Sequence, residues 1–369
     1  MTPRIPFLVL VCASVPVAAR AGNSDDSRFS ALDGELDALA RTLQHDSQSG
    51  PTFGALLRVA YDDADSDLSA TADDVSGFRM YDAQVWFDSK VGDYEVFVKM
   101  DAGETSAFPA ITGDGVGAFG LRDAWARTNV TDQLQLYWGQ YKCPLVQSGN
   151  VGDGKLSFID RTRIGQLFSA PGAYQPGAAL VGDFDAFHFK LAVQNGADGA
   201  SDGWGIVARG EYQVGEGAKA HEGAYGAPAG FNGTFGLGYF KDDSQIGGSD
   251  FGSAWAADAY LTYDAFSFEA EILDADEELA SRALGNTTDD ATPWDVTAGY
   301  LFGEGKYEAL VRYQDLDNEI GATIVGAGFN YYVNGHATKW QVNASKYDDD
   351  AIDGTILQLG LSIGIDSPH

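Results

Sequence analysis

The sequence predicts an all-β protein, a 16-stranded antiparallel transmembrane β-barrel with a short N-terminal helix. Apolar and polar residues alternate with a period of two from residue 51 almost to the end of the chain. Short links between these segments alternate with longer polar stretches, and aromatic residues stand near both ends of several segments. Such features are typical of strands that cross a membrane and close into a barrel.

The composition indicates a chain with a large apolar surface and a strongly acidic character. Of its 369 residues, 44% are hydrophobic and 46 are glycine, and 54 acidic residues against 23 basic ones give a net charge of −31. Because a field of that sign repels phosphate backbones, no nucleic-acid partner is expected. Outside the N-terminus there is no apolar run of 18 residues, which argues against a membrane-spanning helix.

Residues 1–21 have the pattern of a secretory signal peptide. Arg4 supplies the positive end, residues 5–17 supply the apolar stretch, and residues 19–21 (Ala-Arg-Ala) form a small-x-small cleavage site. Cys143 is the only cysteine after this segment. The mature chain is therefore expected to lack an intrachain disulfide.

Residues 22–50 are predicted to form a periplasmic helical and linker segment. Within residues 24–45, apolar residues recur at spacings of three and four, which is the a/d seam of two heptads. Two interpretations stay open: a helix packed on its own protein, or a short coiled coil between protomers. The seam consists of Phe29, Leu32, Leu36, Leu39 and Leu43.

The alternation is clear in the first and last predicted strands. Between Phe53 and Tyr61 the apolar residues share one face and Arg58 lies on the other, and Leu357 to Ile363 alternate in the same way. A soluble β-sandwich would turn the apolar face inward, whereas a membrane barrel would turn it outward to lipid. Periodicity alone does not choose between the two.

The connections and the aromatic residues favour the barrel. Long stretches such as 62–77 and 142–176 alternate with short links such as residues 334–335, and an even strand number places both chain ends on one side. One link departs from the pattern, because residues 214–230 fall where a short turn is expected. The sixteen strands are predicted to start near residues 52, 78, 93, 120, 133, 177, 186, 203, 231, 254, 266, 293, 305, 322, 337 and 354.

Motifs in the middle of the chain resemble a known family. A strand pair leads through a segment of the form GQ-aromatic-K-x-P into a long segment that contains F-x-(E/D)-R. The motifs are Leu121-Arg122-Asp123-Ala124-Trp125, the segment from Leu134 to Gly139, Gln140-Tyr141-Lys142-Cys143-Pro144, Phe158-Ile159-Asp160-Arg161-Thr162 and the segment from Gly177 to Leu180. In order and spacing they resemble the phosphate-selective porin O/P family.

The resemblance implies an outer-membrane porin and a homotrimer. Residues 51–369 would form the barrel, and the third loop, residues 142–176, would fold inward and narrow the lumen. Uptake of anions or phosphate is part of what the resemblance implies.

Ten basic residues are predicted to contact ions in such a pore. An ion that enters a narrow pore needs charged or hydrogen-bonding partners in place of its hydration shell. Arg161 has an alternative role, since it could pair with a loop acid and pin the loop to the wall, and the lumen lysines could be ordinary solvated charges. The ten are Lys142, Lys155, Arg161 and Arg163 at or within the loop, and Arg58, Lys99, Lys190, Arg209, Arg312 and Lys339 on the predicted inner faces.

Acidic residues share the predicted inner faces, so strong selection for phosphate is not expected. The sequence predicts instead a weakly selective or cation-preferring pore. These acids are Asp82, Glu95, Asp101, Glu211, Asp258, Glu269, Glu271, Asp295 and Glu308.

The predicted function is passive diffusion of small ions and solutes through the outer membrane of a Gram-negative type of cell, surrounded by lipid and lipopolysaccharide. Five histidines are scattered without metal-ligand spacing, and no nucleophile motif is present. No metal, cofactor or enzymatic activity is therefore expected. The alternative is a secreted β-sandwich binding protein or adhesin built from the same strands.

Overall fold

The sixteen predicted strands form one closed antiparallel barrel, so the predicted fold class is confirmed. Each strand pairs with its neighbours in the chain, and the last strand returns to pair with the first. This is a computed structural model, and it describes residues 51–65, 75–103, 120–169, 173–197, 203–217, 221–246, 249–284, 289–350 and 353–364. The predicted signal peptide (1–21) and the predicted helical segment (22–50) lie outside the described residues.

Every strand begins within five residues of its predicted start. The strands are β1 (Thr52–Ala64), β2 (Val75–Val91), β3 (Tyr94–Asp101), β4 (Gly120–Asn129), β5 (Leu134–Lys142), β6 (Tyr174–Phe184), β7 (Phe187–Asn195), β8 (Trp204–Val214), β9 (Phe231–Ile246), β10 (Ser249–Tyr263), β11 (Phe266–Ala275), β12 (Trp294–Phe302), β13 (Tyr307–Asp315), β14 (Thr323–Asn334), β15 (Thr338–Asp348) and β16 (Asp353–Gly364).

Closure removes the open edges that a sheet of this size would otherwise present. β1 and β16 pair antiparallel from Leu56 opposite Gly364 to Ala64 opposite Ile356. Backbone N–H and C=O groups of the first and last strands are thereby paired, so neither strand is left with an open edge.

The polarity of the barrel wall is the reverse of that in a soluble β-sandwich. On β1, the outward side chains of Phe53 and Leu57 are 68% and 44% exposed, whereas the inward Arg58 and Asp62 are 6% and 2% exposed. Large apolar side chains are exposed on the outer face of the other strands as well, and charged and amide side chains are buried inside. The sandwich alternative is therefore not favoured.

Aromatic rings on the outer surface gather near both ends of the strands. Phe53 and Tyr61 are eight residues apart on β1, which corresponds to about 26 Å along a strand. Ring pairs near the short turns are Phe53–Phe87 (5.6 Å between centroids) and Phe266–Tyr300 (4.7 Å), and ring pairs near the long loops are Tyr61–Phe78 (5.4 Å) and Trp294–Tyr313 (5.1 Å).

We call the two ends of the barrel the turn end and the loop end. Two-residue turns join β6 to β7 and β10 to β11 at the turn end, and their first residues, Asp185 and Asp264, have φ values of 51° and 50°. Aspartate tolerates this left-handed conformation better than most residues do, so these acids suit the tight turns.

Among the described residues, two connections enter the barrel lumen. The first joins β5 to β6 and carries α1 (Gln147–Asn150), a 3₁₀ turn (Asp153–Lys155) and α2 (Arg163–Leu167). The second is the connection from β8 to β9, which the sequence marks as too long for a turn. A further helix, α3 (Glu277–Ala283), follows β11. Among the described helices, none has the length and apolar character needed to cross a membrane.

Candidate functional site: the barrel lumen

We call the connection from β5 to β6 the inner loop. The guanidinium of Arg161 crosslinks this loop internally through hydrogen bonds. Its Nη1 donates to the carbonyl of Ser148 and its Nη2 to the carbonyl of Val151 and to Oδ1 of Asp153, each at 2.5 Å. Burial alone would raise the pKa of Asp153, but the nearby positive charges, Arg161 foremost, hold it well below its usual range. These hydrogen bonds hold the inner loop folded back on itself.

Three basic side chains of the wall fasten the inner loop to β1, β13 and β15. Arg58 donates to the carbonyl of Ile159, Lys339 to the carbonyl of Leu156, and Arg312 to the carbonyl of Asp160 at 2.8 Å. Each of these side chains gives a buried carbonyl of the inner loop a hydrogen-bond donor, and so fixes the loop to the wall.

Arg209 of β8 holds the start of the inner loop. It makes two hydrogen bonds to Asp258 (2.6 and 2.9 Å) and one to Glu211 (2.7 Å), and its Nη1 also donates to the carbonyl of Leu145 at 2.7 Å. Arg163, in α2, donates to Gln166 at 3.0 Å.

Glycines on the inner wall make room for apolar side chains of the inner loop. A Cβ atom at Gly238 would lie 2.7 Å from Cδ1 of Leu145, and one at Gly360 would lie 2.8 Å from Cδ1 of Ile159. Leu145 and Ile159 are 0% and 3% exposed. The loop therefore has its own small apolar contacts on a wall that is mainly polar.

The connection from β8 to β9 enters the lumen from the turn end and meets the inner loop. We call residues 221–230 of this connection the turn-end segment. Glu222 is 1% exposed, and its backbone N–H donates to the carbonyl of Lys155 at 3.1 Å. The ring of Tyr225 packs at a tilt of 31° against that of Tyr332 in β14, with 4.3 Å between ring centroids.

Three buried glutamates of the wall accept backbone N–H groups from the two inward connections. Glu271 accepts from Ser148 at 2.7 Å, Glu269 from Gly223 at 2.6 Å, and Glu308 from Ala224 at 2.6 Å. The alternation predicted these acids on the inner face but carried no signal of this anchoring role, because their partners come from segments distant in the chain.

One opening in the described part of the lumen lies beside β2 to β5 and β7. We call it the turn-end cavity; its volume is about 590 Å³, and it extends from Gly364 at the turn end to Lys142 at the loop end of β5. Its lining includes five basic and two acidic side chains, which are Lys99, Arg127, Lys142, Lys155, Lys190, Asp123 and Asp153.

The structure thus divides the ten predicted pore residues into two groups. Four of them line the turn-end cavity: Lys99, Lys142, Lys155 and Lys190. Of these, Lys142 also donates to the carbonyl of Gly149 in the inner loop at 2.6 Å, and Lys99 pairs with Asp123 at 2.9 Å. The other six make hydrogen bonds to the inner loop, to wall acids or within the loop: Arg58, Arg161, Arg163, Arg209, Arg312 and Lys339. Sequence analysis missed Arg127 and the aromatic side chains of the same cavity.

A second cavity, of about 360 Å³, lies toward the loop end and is lined by Cys143, Phe168 and Arg282 among others. Lys142 and Cys143 are neighbours in the chain but line different cavities. The start of the inner loop therefore divides the two. Burial raises the pKa of the Cys143 thiol to about 12.

Among the described residues, the side chains that could ligate a metal ion do not cluster. This part of the chain contains no group of three or more His, Cys, Asp or Glu side chains that could hold a metal ion. His188 and Asp183 approach each other at 3.1 Å beside the turn between β6 and β7, and neither lines the two cavities described above.

No protein-family model and no curated protein matches the chain. Solved structures share its fold. A mutant of the Rh. blastica porin has a TM-score of 0.54 and 13% identity, with 85% of this chain and 100% of that chain covered. OccAB4 from Acinetobacter baumannii has a TM-score of 0.52 and 12% identity, with 85% and 98% covered. At these identities the likeness shows a porin fold, and membership of the phosphate-selective porin O/P family stays a prediction.

Proposed function

We propose that the protein is a porin, a passive channel for small ions and solutes in the outer membrane of a Gram-negative type of cell. The observation that carries this proposal is the inverted polarity of the barrel. A continuous apolar outer face far exceeds the few hundred Å² that a soluble monomer usually exposes, and hydrocarbon chains of lipid would cover it. The buried charged side chains then surround water instead of a dry core.

The turn-end cavity is the proposed route through the lumen. Its lining carries an excess of amines over carboxylates although the whole chain has a net charge of −31. Ions respond to charges near the pore more than to distant ones, which salt screens beyond about 8 Å at physiological ionic strength. Weak preference for anions, without a specific claim for phosphate, is therefore proposed in place of the cation preference that composition suggests.

A homotrimer surrounded by lipid and lipopolysaccharide is proposed as the assembly. An apolar groove of about 480 Å³ on the outer face of β12 to β15, lined by Ala298, Val311, Ala327 and Ala344 among others, supports this. Small residues there leave room for side chains of a neighbouring protomer. Native mass spectrometry from detergent would give the mass of three chains; a monomer mass would contradict the assembly.

The channel proposal is tested by recording purified protein in a planar bilayer under a KCl gradient. Discrete conductance steps are expected, together with a reversal potential whose sign shows that the channel prefers anions to cations. Lys155→Glu should move the reversal potential toward cations, whereas Lys306→Glu, an exposed turn-end residue outside the cavity, should not. Absence of conductance from correctly folded protein would reject the proposed function.

A further inference from the structure

Two histidines meet where the turn-end segment reaches the barrel wall. His221 begins the segment and His336 lies in the turn between β14 and β15, with 5.0 Å between their ring centroids. Tyr225 of the segment and Tyr332 of β14 pack edge to face against His336, each with 5.4 Å between centroids. Four rings from two distant parts of the chain therefore form one cluster at the turn end, which we call the ring cluster.

The imidazole of His336 is poorly placed to take up a proton. Both of its ring nitrogens are shielded from solvent, and neither makes a well-formed hydrogen bond. The neutral ring carries one N–H donor and the charged ring carries two. Because each buried donor without an acceptor lowers stability, the docked segment fits the neutral ring better than the charged one.

Positive charges around the two histidines oppose protonation as well. Lys155 of the inner loop lines the same cavity as His336, and Lys339 of β15 is buried. Burial is the largest influence, and Lys339, His221 and then Lys155 add to it. Together they hold the pKa of His336 well below its usual range. A backbone group of Gly154 acts in the opposite direction with less effect.

The carboxylates close to the ring cluster already have partners of their own. Glu222 follows His221 in the chain, Glu308 contacts the hydroxyl of Tyr332, and Asp153 lines the turn-end cavity. Their charges are therefore committed to other donors. The partners are Ser157 (2.8 Å) for Glu222, Tyr332 and Ala224 (both 2.6 Å) for Glu308, and Arg161 (2.5 Å) for Asp153.

We propose that the turn-end segment is an acid-sensitive gate, which protonation of His221 and His336 releases from the wall so that the channel opens further. A released histidine titrates near pH 6.5, whereas docked His336 resists protonation, so acidification favours release. From pH 7.5 to pH 5.5 this linkage shifts the equilibrium about tenfold for His336 alone. Repulsion between two imidazolium rings at 5.0 Å acts in the same direction.

The test is hydrogen–deuterium exchange of the purified barrel in nonionic detergent, followed by mass spectrometry. The readout is the backbone amides of residues 222–224, which donate to the inner loop and to wall glutamates while the segment is docked. Their protection factor, corrected for the chemical exchange rate at each pH, should fall at least tenfold from pH 7.5 to pH 5.5. The ladder between β13 and β14 should keep its protection. An unchanged protection factor at residues 222–224 would overturn the proposal.

Variants assign the pH dependence to the histidines and not to the glutamates that accept these amides. His336→Gln keeps a polar side chain that does not titrate, and it should reduce the fall to less than threefold. His221→Gln provides a second test from the segment side and should also reduce it. His188→Gln removes an imidazole of β7 outside the ring cluster and should leave the tenfold fall unchanged. A tenfold fall that persists in both His336→Gln and His221→Gln would overturn the proposal.

Conductance in a planar bilayer at the same two pH values is the second readout. This inference rests on the proposed channel function, and we expect conductance at least twofold higher at pH 5.5 than at pH 7.5. Equal conductance at both values would overturn the gate and leave the proposed function intact. Absence of conductance at either pH would instead reject the proposed function, whatever the exchange experiment shows.

Discussion

The carboxylate of Glu222 accepts hydrogen bonds from both the backbone N–H and the hydroxyl of Ser157, each at 2.8 Å. Glu222 belongs to the turn-end segment, and Ser157 belongs to the inner loop that starts from the loop end. The same carboxylate oxygen lies 3.3 Å from Nη2 of Arg312 on the wall. Two inward connections from opposite ends of the barrel are therefore joined at one acid.

We predict that Glu222→Ala widens the lumen. The change leaves a buried N–H group of Ser157 without its acceptor and frees the inner loop from the turn-end segment, which costs about 1–3 kcal/mol of local stability. The strand ladders are untouched, so the barrel should stay folded. Single-channel recording should show conductance at least twofold higher, with more open-channel noise.

Glu278→Ala is the matched control for this prediction, because Glu278 is an exposed acid of α3. It should leave both conductance and noise unchanged. If Glu222→Ala conducts like the unaltered protein, the contact between the two connections does not restrict the lumen.

The strands could be predicted from the sequence because alternation is a local property. A period of two assigns Arg58 to the inner face and Phe53 to the outer face without knowledge of any other strand. Closure into a barrel followed from the turn and loop lengths. Both features are confirmed, and both depend only on residues that are close in the chain.

The partners of the inner side chains could not be predicted in this way. Alternation places Arg58 and Lys190 equally on the inner face, yet Arg58 is bonded to Asp82 at 2.6 Å and to the inner loop, whereas Lys190 faces the cavity. The difference depends on where the inner loop lies in the lumen, and its contact with Arg58 joins residues that are 101 positions apart in the chain. The only feature of the sequence that indicated the turn-end segment was the length of the link between β8 and β9, which is too long for a short turn.

A second prediction concerns the buried pair of Arg209 and Asp258, whose side chains are 3% and 0% exposed. Asp258→Asn removes the charge that balances the guanidinium, which costs roughly 3 kcal/mol, at the low end of the range for broken buried pairs because Glu211 remains as a partner. The urea concentration at the midpoint of unfolding, measured for the barrel in lipid vesicles, should therefore fall. Asp353→Asn, which breaks an exposed pair with Lys346, should leave the midpoint where it is.

A third prediction tests the glycine contacts of the inner loop. Gly238→Ala would bring a methyl group to 2.7 Å from Cδ1 of Leu145 and 2.9 Å from its carbonyl oxygen, so the start of the loop must move away from the wall. Overpacking of this kind typically costs about 1–3 kcal/mol. Gly77→Ala on β2 adds the same methyl group where nothing lies within 4 Å, and it should leave the urea midpoint of unfolding unchanged. Equal urea midpoints for the two variants would show that Leu145 does not seat against Gly238.

A fourth prediction concerns the thiol of Cys143, which is 5% exposed. Burial raises its pKa to about 12, against about 8.5 for a free cysteine, so at pH 8 the reactive thiolate is on the order of a thousandfold scarcer. Because the thiolate fraction grows as pH approaches the pKa from below, alkylation by iodoacetamide should accelerate about tenfold per pH unit between pH 8 and pH 11. Peptide mass spectrometry gives the modified fraction at each time.

A thiol placed by Lys306→Cys in an exposed turn provides the comparison within the same chain. It should be alkylated within minutes at pH 8, while Cys143 stays largely unmodified. The pH dependence separates two causes of slow alkylation, which are poor access of the reagent to Cys143 and poor ionisation of its thiol. Poor access alone would lower the alkylation rate by the same factor at every pH and would not produce the tenfold rise per pH unit. Comparable rates for the two thiols at pH 8 would place Cys143 in open water and contradict the division of the lumen at the start of the inner loop.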